Sequence, residues 1–161
     1  MDINNANNEA RLLIQNQYFL NNSSLAEYEI ACEAFAGLSF VSCNFEDITV
    51  IGNVFSSCSF QNCTFNKFHT KKGTFSNCNF EDCKITNSDM TKTDFYDTHF
   101  KNCEFLSVTL TATYFNGCKL KSTKFFKTDL DLIGVDGVKV WKSKEWVEIN
   151  DFSSFEKDLE E

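Results

Sequence analysis

The 161-residue chain has no proline and only six glycines, so little of it is expected to be linker or low-complexity tail. No run approaches the roughly eighteen apolar residues that a membrane-spanning helix needs. The opening stretch MDINNANNEA has neither a basic n-region nor an apolar h-region, which argues against a secretory leader. A reducing, cytoplasmic setting is therefore expected, in which the eight cysteines stay as thiols. Histidine is nearly absent: His69 and His99 stand thirty residues apart. No glycine-rich phosphate loop, HExxH or EF-hand pattern occurs. An enzyme is not expected, because the constellation of nucleophile, base and pocket has little to be built from.

What the chain has in excess is phenylalanine, eighteen residues of it. Every fifth residue from Phe40 to Val140 gives 21 positions, of which 20 are apolar and 12 are Phe; only Thr70 breaks the series. No insertion shifts the phase. Two residues earlier, from Leu38 to Val138, runs a second series of mostly small residues, with Phe68 and Gly73 as its irregular members. The other three positions of each pentamer are largely Ser, Thr, Asn, Asp, Glu and Lys.

A helix cannot use this pattern. A five-residue period advances the apolar residue by about 140° per step, which spirals around a helix and gives no common face. A strand puts positions i and i−2 on one side, but the alternation must then be interrupted once per pentamer. A short strand followed by a corner, repeated so that the chain coils around its own core, satisfies both demands. Such coils stack at the inter-strand spacing of about 4.8 Å, and each buries its face only with neighbours. The cysteines give the coil length. Cys43, Cys63, Cys83 and Cys103 share one column at a period of 20, and Cys58, Cys78 and Cys118 share another. At a period of 15 the same residues scatter. Four pentamers per coil is the reading.

The unbroken phase over residues 38–140 resembles the pentapeptide repeat family. The Phe-centred, Cys-rich form, as in CNFED and CEFLS, is similar to its quinolone-resistance and microcin-immunity branches. The resemblance implies a right-handed quadrilateral β-helix, an all-β solenoid of about five coils, with the central and i−2 residues pointing inward. The ends depart from the repeat. Residues 1–37 read as an N-terminal cap: Ser24 and Glu27 form a capping box, and apolar residues at 25, 28, 32 and 35 before Gly37 predict a helix over 25–36 that carries Cys32. Residues 141–161 read as a C-terminal cap. A strand pair places Trp141 and Trp146 over the last coil, and Ser153 with Glu156 opens a short helix bearing Phe152, Phe155 and Leu159.

On this fold Cys43, Cys58, Cys63, Cys78, Cys83, Cys103 and Cys118 are structural core thiols. A straight line of sulfurs cannot converge on one tetrahedral zinc, and parallel side chains on neighbouring strands suit a disulfide poorly. A buried thiol acts as a small hydrophobe, so a hydroxyl at Cys83 is expected to destabilise by about 1–3 kcal/mol. No metal and no cofactor are expected. Thr70 and Phe68 exchange sizes, which conserves core volume, and a distortion over 68–73 is expected.

The function expected is that of a non-catalytic scaffold for protein–protein interaction. The alternative is a DNA-mimicking modulator or protector of DNA gyrase or topoisomerase, which the net charge of −8 invites. Residues 38–140, however, carry 11 acidic and 11 basic residues, and the excess acid lies in the two ends. Leu106 with Phe126 and Tyr96 with Tyr114 should stand together on outer faces, and with Phe152 and Phe155 they form the candidate interface. Lys119, Lys121, Lys124 and Lys127 form a basic cluster sufficient for an acidic partner but not for direct nucleic-acid binding. The apolar C-terminal end, and the habit of related β-helices, point to a homodimer. No membrane association is expected.

Overall fold

Corners come first. The residue two past each central position has positive φ: Asn62 at 53°, Asn77 at 53°, Asp97 at 47° and Asn102 at 53°, with Gly52 at 65° and Gly117 at 64° in equivalent places. Gly, Asn and Asp tolerate this left-handed region best, and they fill about half of these corners, Ser and Lys most of the rest. At Gly117 the need is doubled, because a Cβ there would lie 2.4 Å from an Asp97 carboxylate oxygen.

The computed structural model describes residues 19–21, 24–26, 29–31 and 33–150. It is an all-β solenoid of about five turns with three parallel sheets. Each strand pairs with the one twenty residues on, as in Phe40↔Phe60, Phe60↔Phe80 and Phe80↔Phe100. The first sheet runs from Phe19–Asn21 through Ser59–Gln61 and Lys119–Lys121 to Val138–Lys142, and ends in an antiparallel strand, Glu145–Ile149. The second stacks Ala34–Ala36 up to Gly134–Asp136, and the third Ser24–Ala26 up to Lys124–Phe126. The fourth side is thinner. Glu29–Ala31 pairs with residues 49–51, and Ile48 and Thr49 pair with Phe68 and His69; from there on this side is joined by single bridges linking His69, Asp89, Thr109 and Asp129.

Columns of stacked rings fill the interior. Phe40, Phe60, Phe80 and Phe100 follow one another at centroid distances of 4.9, 4.6 and 5.0 Å, while Phe35, Phe55, Phe75, Phe95 and Phe115 do so at 5.0, 4.8, 5.3 and 4.9 Å. Neighbouring columns meet edge to face, as at Phe55 and Phe60. Such pairs contribute about 0.5–1.5 kcal/mol each beyond area burial, so the repeat is held by its rings as well as its ladders.

The break at Thr70 is filled by hydroxyls. Phe68 and Thr70 are both buried. Thr70 Oγ1 lies 2.7 Å from Thr93 Oγ1, and Thr93 also donates to the Thr70 carbonyl. Phe68 meets Phe65 edge-on at 5.1 Å. The expected distortion over 68–73 belongs to the whole fourth side rather than to one coil. The turn at 71–72 recurs at 91–92 and 111–112, where Thr93 N donates to the Met90 carbonyl and Thr113 N to that of Leu110, both at 3.1 Å.

The expected helix over 25–36 is not formed. Ser24–Ala26, Glu29–Ala31 and Ala34–Ala36 are strands, and Leu25, Ile30 and Phe35 pair with Phe45, Val50 and Phe55. Leu20, Leu25, Ile30 and Phe35 continue the five-residue phase upstream of Phe40. Stacking Phe35 on Phe55 within a preformed coil outweighs the local capping signal. Cys32, residues 1–18 and the helix expected after Ser153, with Phe152 and Phe155, lie outside the described residues.

Candidate interaction faces

The seven cysteines among the described residues are free and buried. Each of six thiols donates to the carbonyl twenty-three residues earlier: Cys63 to Phe40 at 3.5 Å, Cys83 to Phe60 at 3.3 Å and Cys118 to Phe95 at 3.3 Å are examples. Burial pushes Cys118 up to about 12. Cys83 is also raised, by hydrogen bonds to the flanking sulfurs of Cys103 and Cys63 and by burial. Within the ladders the opposite shift occurs at the accepting partners: hydrogen bonds from neighbouring thiols lower Cys58, Cys63 and Cys103, the first two to about 7. The slot is not purely apolar, however. Thr98 takes the place of a cysteine in the Cys58–Cys78–Cys118 column, and its hydroxyl lies within donating distance of the equivalent pair of carbonyls, Phe75 at 3.1 Å and Tyr96 at 3.0 Å. A hydroxyl at Cys83 would find equivalent carbonyl partners, those of Phe60 and Glu81.

On the third sheet Leu106 and Phe126 are register partners. Leu106 is half-buried and Phe126 is 44% exposed. Beside them Lys84 and Glu104 form a 3.0 Å ion pair. On the second sheet Tyr96 and Tyr114 meet at 6.1 Å. The Tyr114 ring lies across Gly134, where a Cβ would come within 2.5 Å of Cδ2, and Asn116 donates to its hydroxyl at 3.2 Å. The Asp94 carboxyl on this face is raised by burial.

The acidic residues of NSDMTKTDFYD do not all sit at corners. Asp97 does, whereas Asp94 is on a strand, and Asp89 closes the fourth-side turn by accepting from Thr91 N at 3.0 Å and pairing with Lys71 at 3.0 Å. Burial works against ionisation of Asp89, but its bonds from Thr91 and Lys71 hold the carboxyl below the usual range.

The first sheet carries a feature that sequence reasoning divided wrongly. Trp141 and Trp146 are register partners in the terminal hairpin, 5.2 Å apart and edge to face. They lie on the outside of the sheet; of the hairpin residues, Val138 and Ile149 are buried and Val140 packs half-buried against the core. Lys121 Nζ stands 4.5 Å over the Trp141 ring and Lys119 Nζ 5.7 Å from that of Trp146. Lys124, by contrast, belongs to the third sheet and Lys127 to a corner beyond it, so the four lysines do not form one cluster. Lys121 and Trp141 are twenty apart, so the coil period already held this contact. A cleft of about 290 Å³ opens in front of Trp146, walled by Asn79, Glu81, His99, Lys101, Lys119 and Lys121. Burial, then the Lys119 charge, holds His99 below its ordinary value, with Asp97 opposing.

No group of three or more His, Cys, Asp or Glu among the described residues is placed to hold a metal. No helix among them is long and apolar enough to cross a membrane.

Residues 53–134 match the family described as a pentapeptide repeat region. No curated protein matches the chain. Among solved structures it is similar to a pentapeptide repeat protein, Rfr23, from the cyanobacterium Cyanothece 51142, at 10% identity over 86% of this chain and 95% of that one, with a TM-score of 0.42. It is similar to QnrB1, a plasmid-mediated fluoroquinolone resistance protein, at 15% identity over 76% and 84%, with a TM-score of 0.26. HetL, a pentapeptide repeat protein involved in heterocyst differentiation regulation in Nostoc sp. strain PCC 7120, matches at 7% identity over 79% and 94%, with a TM-score of 0.25.

Proposed function

Since the chain belongs to the pentapeptide repeat family, we propose that it is a non-catalytic scaffold whose outer faces bind a protein partner. One observation carries this reading. The interior is given over to stacked Phe columns, whereas the charged and aromatic groups that break the polar pattern are displayed outside in register, at Leu106 with Phe126 and at the lysine–tryptophan face. Rigid rows at strand spacing suit recognition of a surface more than turnover of a substrate. The test is a pull-down from native lysate with wild-type protein and with Phe126→Ser. Loss of a specific band in the variant supports the reading, and an empty pull-down with both overturns it.

A second reading is a DNA-mimicking modulator of gyrase or topoisomerase, favoured by the net charge of −8. It ranks lower because the repeat body, residues 38–140, balances 11 acids with 11 lysines. Inhibition of supercoiling, or protection against a gyrase-directed drug, at low protein concentration would reverse that order.

The finer proposal is a homodimer through the C-terminal end. There Phe125, Leu130, Ile133, Val135 and Val140 are only partly buried, and Leu132 is 76% exposed at a corner with φ of 55°. A large apolar residue in a position that favours Asn or Gly is better accounted for by a contact than by solvent.

A further inference from the structure

We propose that the lysine–tryptophan face of the first sheet binds a short acidic segment of a partner protein, with Lys119 and Lys121 taking its carboxylates and the cleft before Trp146 taking an apolar side chain at the next alternate position. The proposal rests on the scaffold reading and gives it a site. Charge is the starting point. Lys101 is already engaged by Glu81, and Lys139 stands opposite Glu148 across the hairpin. Lys119 and Lys121 have no carboxylate partner among the described residues; their ammonium groups rest on indole rings instead. A cation over an indole face keeps its field for an incoming anion, because the ring offers a quadrupole and no neutralising charge.

Spacing comes next. Lys119 and Lys121 flank buried Leu120 on one three-residue strand, so both point outward two residues apart. Two residues of strand span about 6.6 Å. An extended peptide with acids at alternate positions repeats at the same interval. The residue between them faces away, the next alternate residue faces the sheet again, and the 290 Å³ cleft is of a size for its side chain against Trp146. A long polyanion fits less well. A nucleic-acid backbone crossing this face would run past Glu81 and Glu148, on a protein of net charge −8, with two unmatched lysines to hold it.

The probe is a short peptide with Glu, Glu and Phe at successive alternate positions and Ser between them, read by intrinsic fluorescence, since Trp141 and Trp146 are the only tryptophans. We expect a saturable change that weakens as salt rises, and about tenfold weaker binding in Lys119→Glu/Lys121→Glu. Lys124→Glu/Lys127→Glu makes the same change in net charge off this face and should bind like wild type. Should the double reversal unfold, which circular dichroism reads, Lys119→Gln/Lys121→Gln replaces it. No saturable change up to about 1 mM peptide, equal weakening in both double variants, or tighter binding of an oligothymidylate than of the peptide would overturn the proposal. The same variants in the pull-down separate the two claims. Partners still captured without peptide binding would sink this site and leave the scaffold standing; nothing captured by wild type would remove the scaffold itself.

Discussion

At Cys83 one thiol donates to two carbonyls, those of Phe60 and Glu81, each at 3.3 Å. Thr98 meets the same kind of pair with a hydroxyl. The position therefore selects a small side chain with a donor, which Cys, Ser and Thr all supply. Cys83→Ser should stay within about 1 kcal/mol of wild type, because the net value of such a bond changes little. Cys83→Leu should lose about 1–3 kcal/mol, because the added volume enters a buried ladder already flanked by the Cys63 and Cys103 sulfurs. Urea unfolding of both variants decides it; a Ser variant that loses as much as the Leu variant would show the slot to be apolar after all. His99 gives a second residue-scale test. Its imidazole is held below 6.5 first by burial and then by the Lys119 charge. Lys119→Gln removes the second cause only. The His99 titration, followed by NMR, should move up toward its ordinary value without reaching it. No movement would mean that burial alone sets it.

The terminal hairpin is the element that departs most from the repeat, and its turn is under local strain. Ser143 and Lys144 occupy a two-residue connection with φ of 46° and 70°. Such turns favour Asn-Gly because both central residues must be left-handed. Replacing Ser143 and Lys144 by Asn and Gly should stabilise the protein, read as a higher melting temperature, because relief of left-handed strain at about 1–2 kcal/mol per residue exceeds the roughly 0.5–1 kcal/mol entropic cost of Gly. A lower one would show that Lys144 makes contacts worth more than the relief. The same kind of local preference explains what the sequence made legible. The coil period, the inward residues and the corners follow from pentamer phase, since left-handed corners restrict residue choice and Phe must stack on Phe. The segment 24–36 was misread because Leu25 and Phe35 fit a helical stripe and a five-residue phase alike, and local signals carry no information about the coil awaiting them. The lysine–tryptophan face was half legible. The twenty-residue register aligns Lys121 with Trp141, but only the antiparallel pairing of Trp141 with Trp146 turns the alignment into a walled cleft.

A solenoid has two ends, and whatever closes each end determines whether the molecule stays single. The first sheet ends in an antiparallel strand whose Ile149 sits over buried Val138. The third ends at Lys124–Phe126 and the second at Gly134–Asp136, each the last strand of its sheet among the described residues. Strand edges of this kind template pairing with another chain, and partly exposed Leu130 and Val135 lie just inside them. If two copies meet here, the contact is isologous and each end closes the other. Leu130→Glu then places two like charges in one apolar seam. Sedimentation should find the wild type as a dimer and Leu130→Glu as a folded monomer, with unchanged circular dichroism. A wild type that sediments as a monomer at all concentrations removes the dimer. A dimer that survives both Leu130→Glu and removal of the residues after Asn150 would place the contact on another face, with Leu106 and Phe126 the next pair to change.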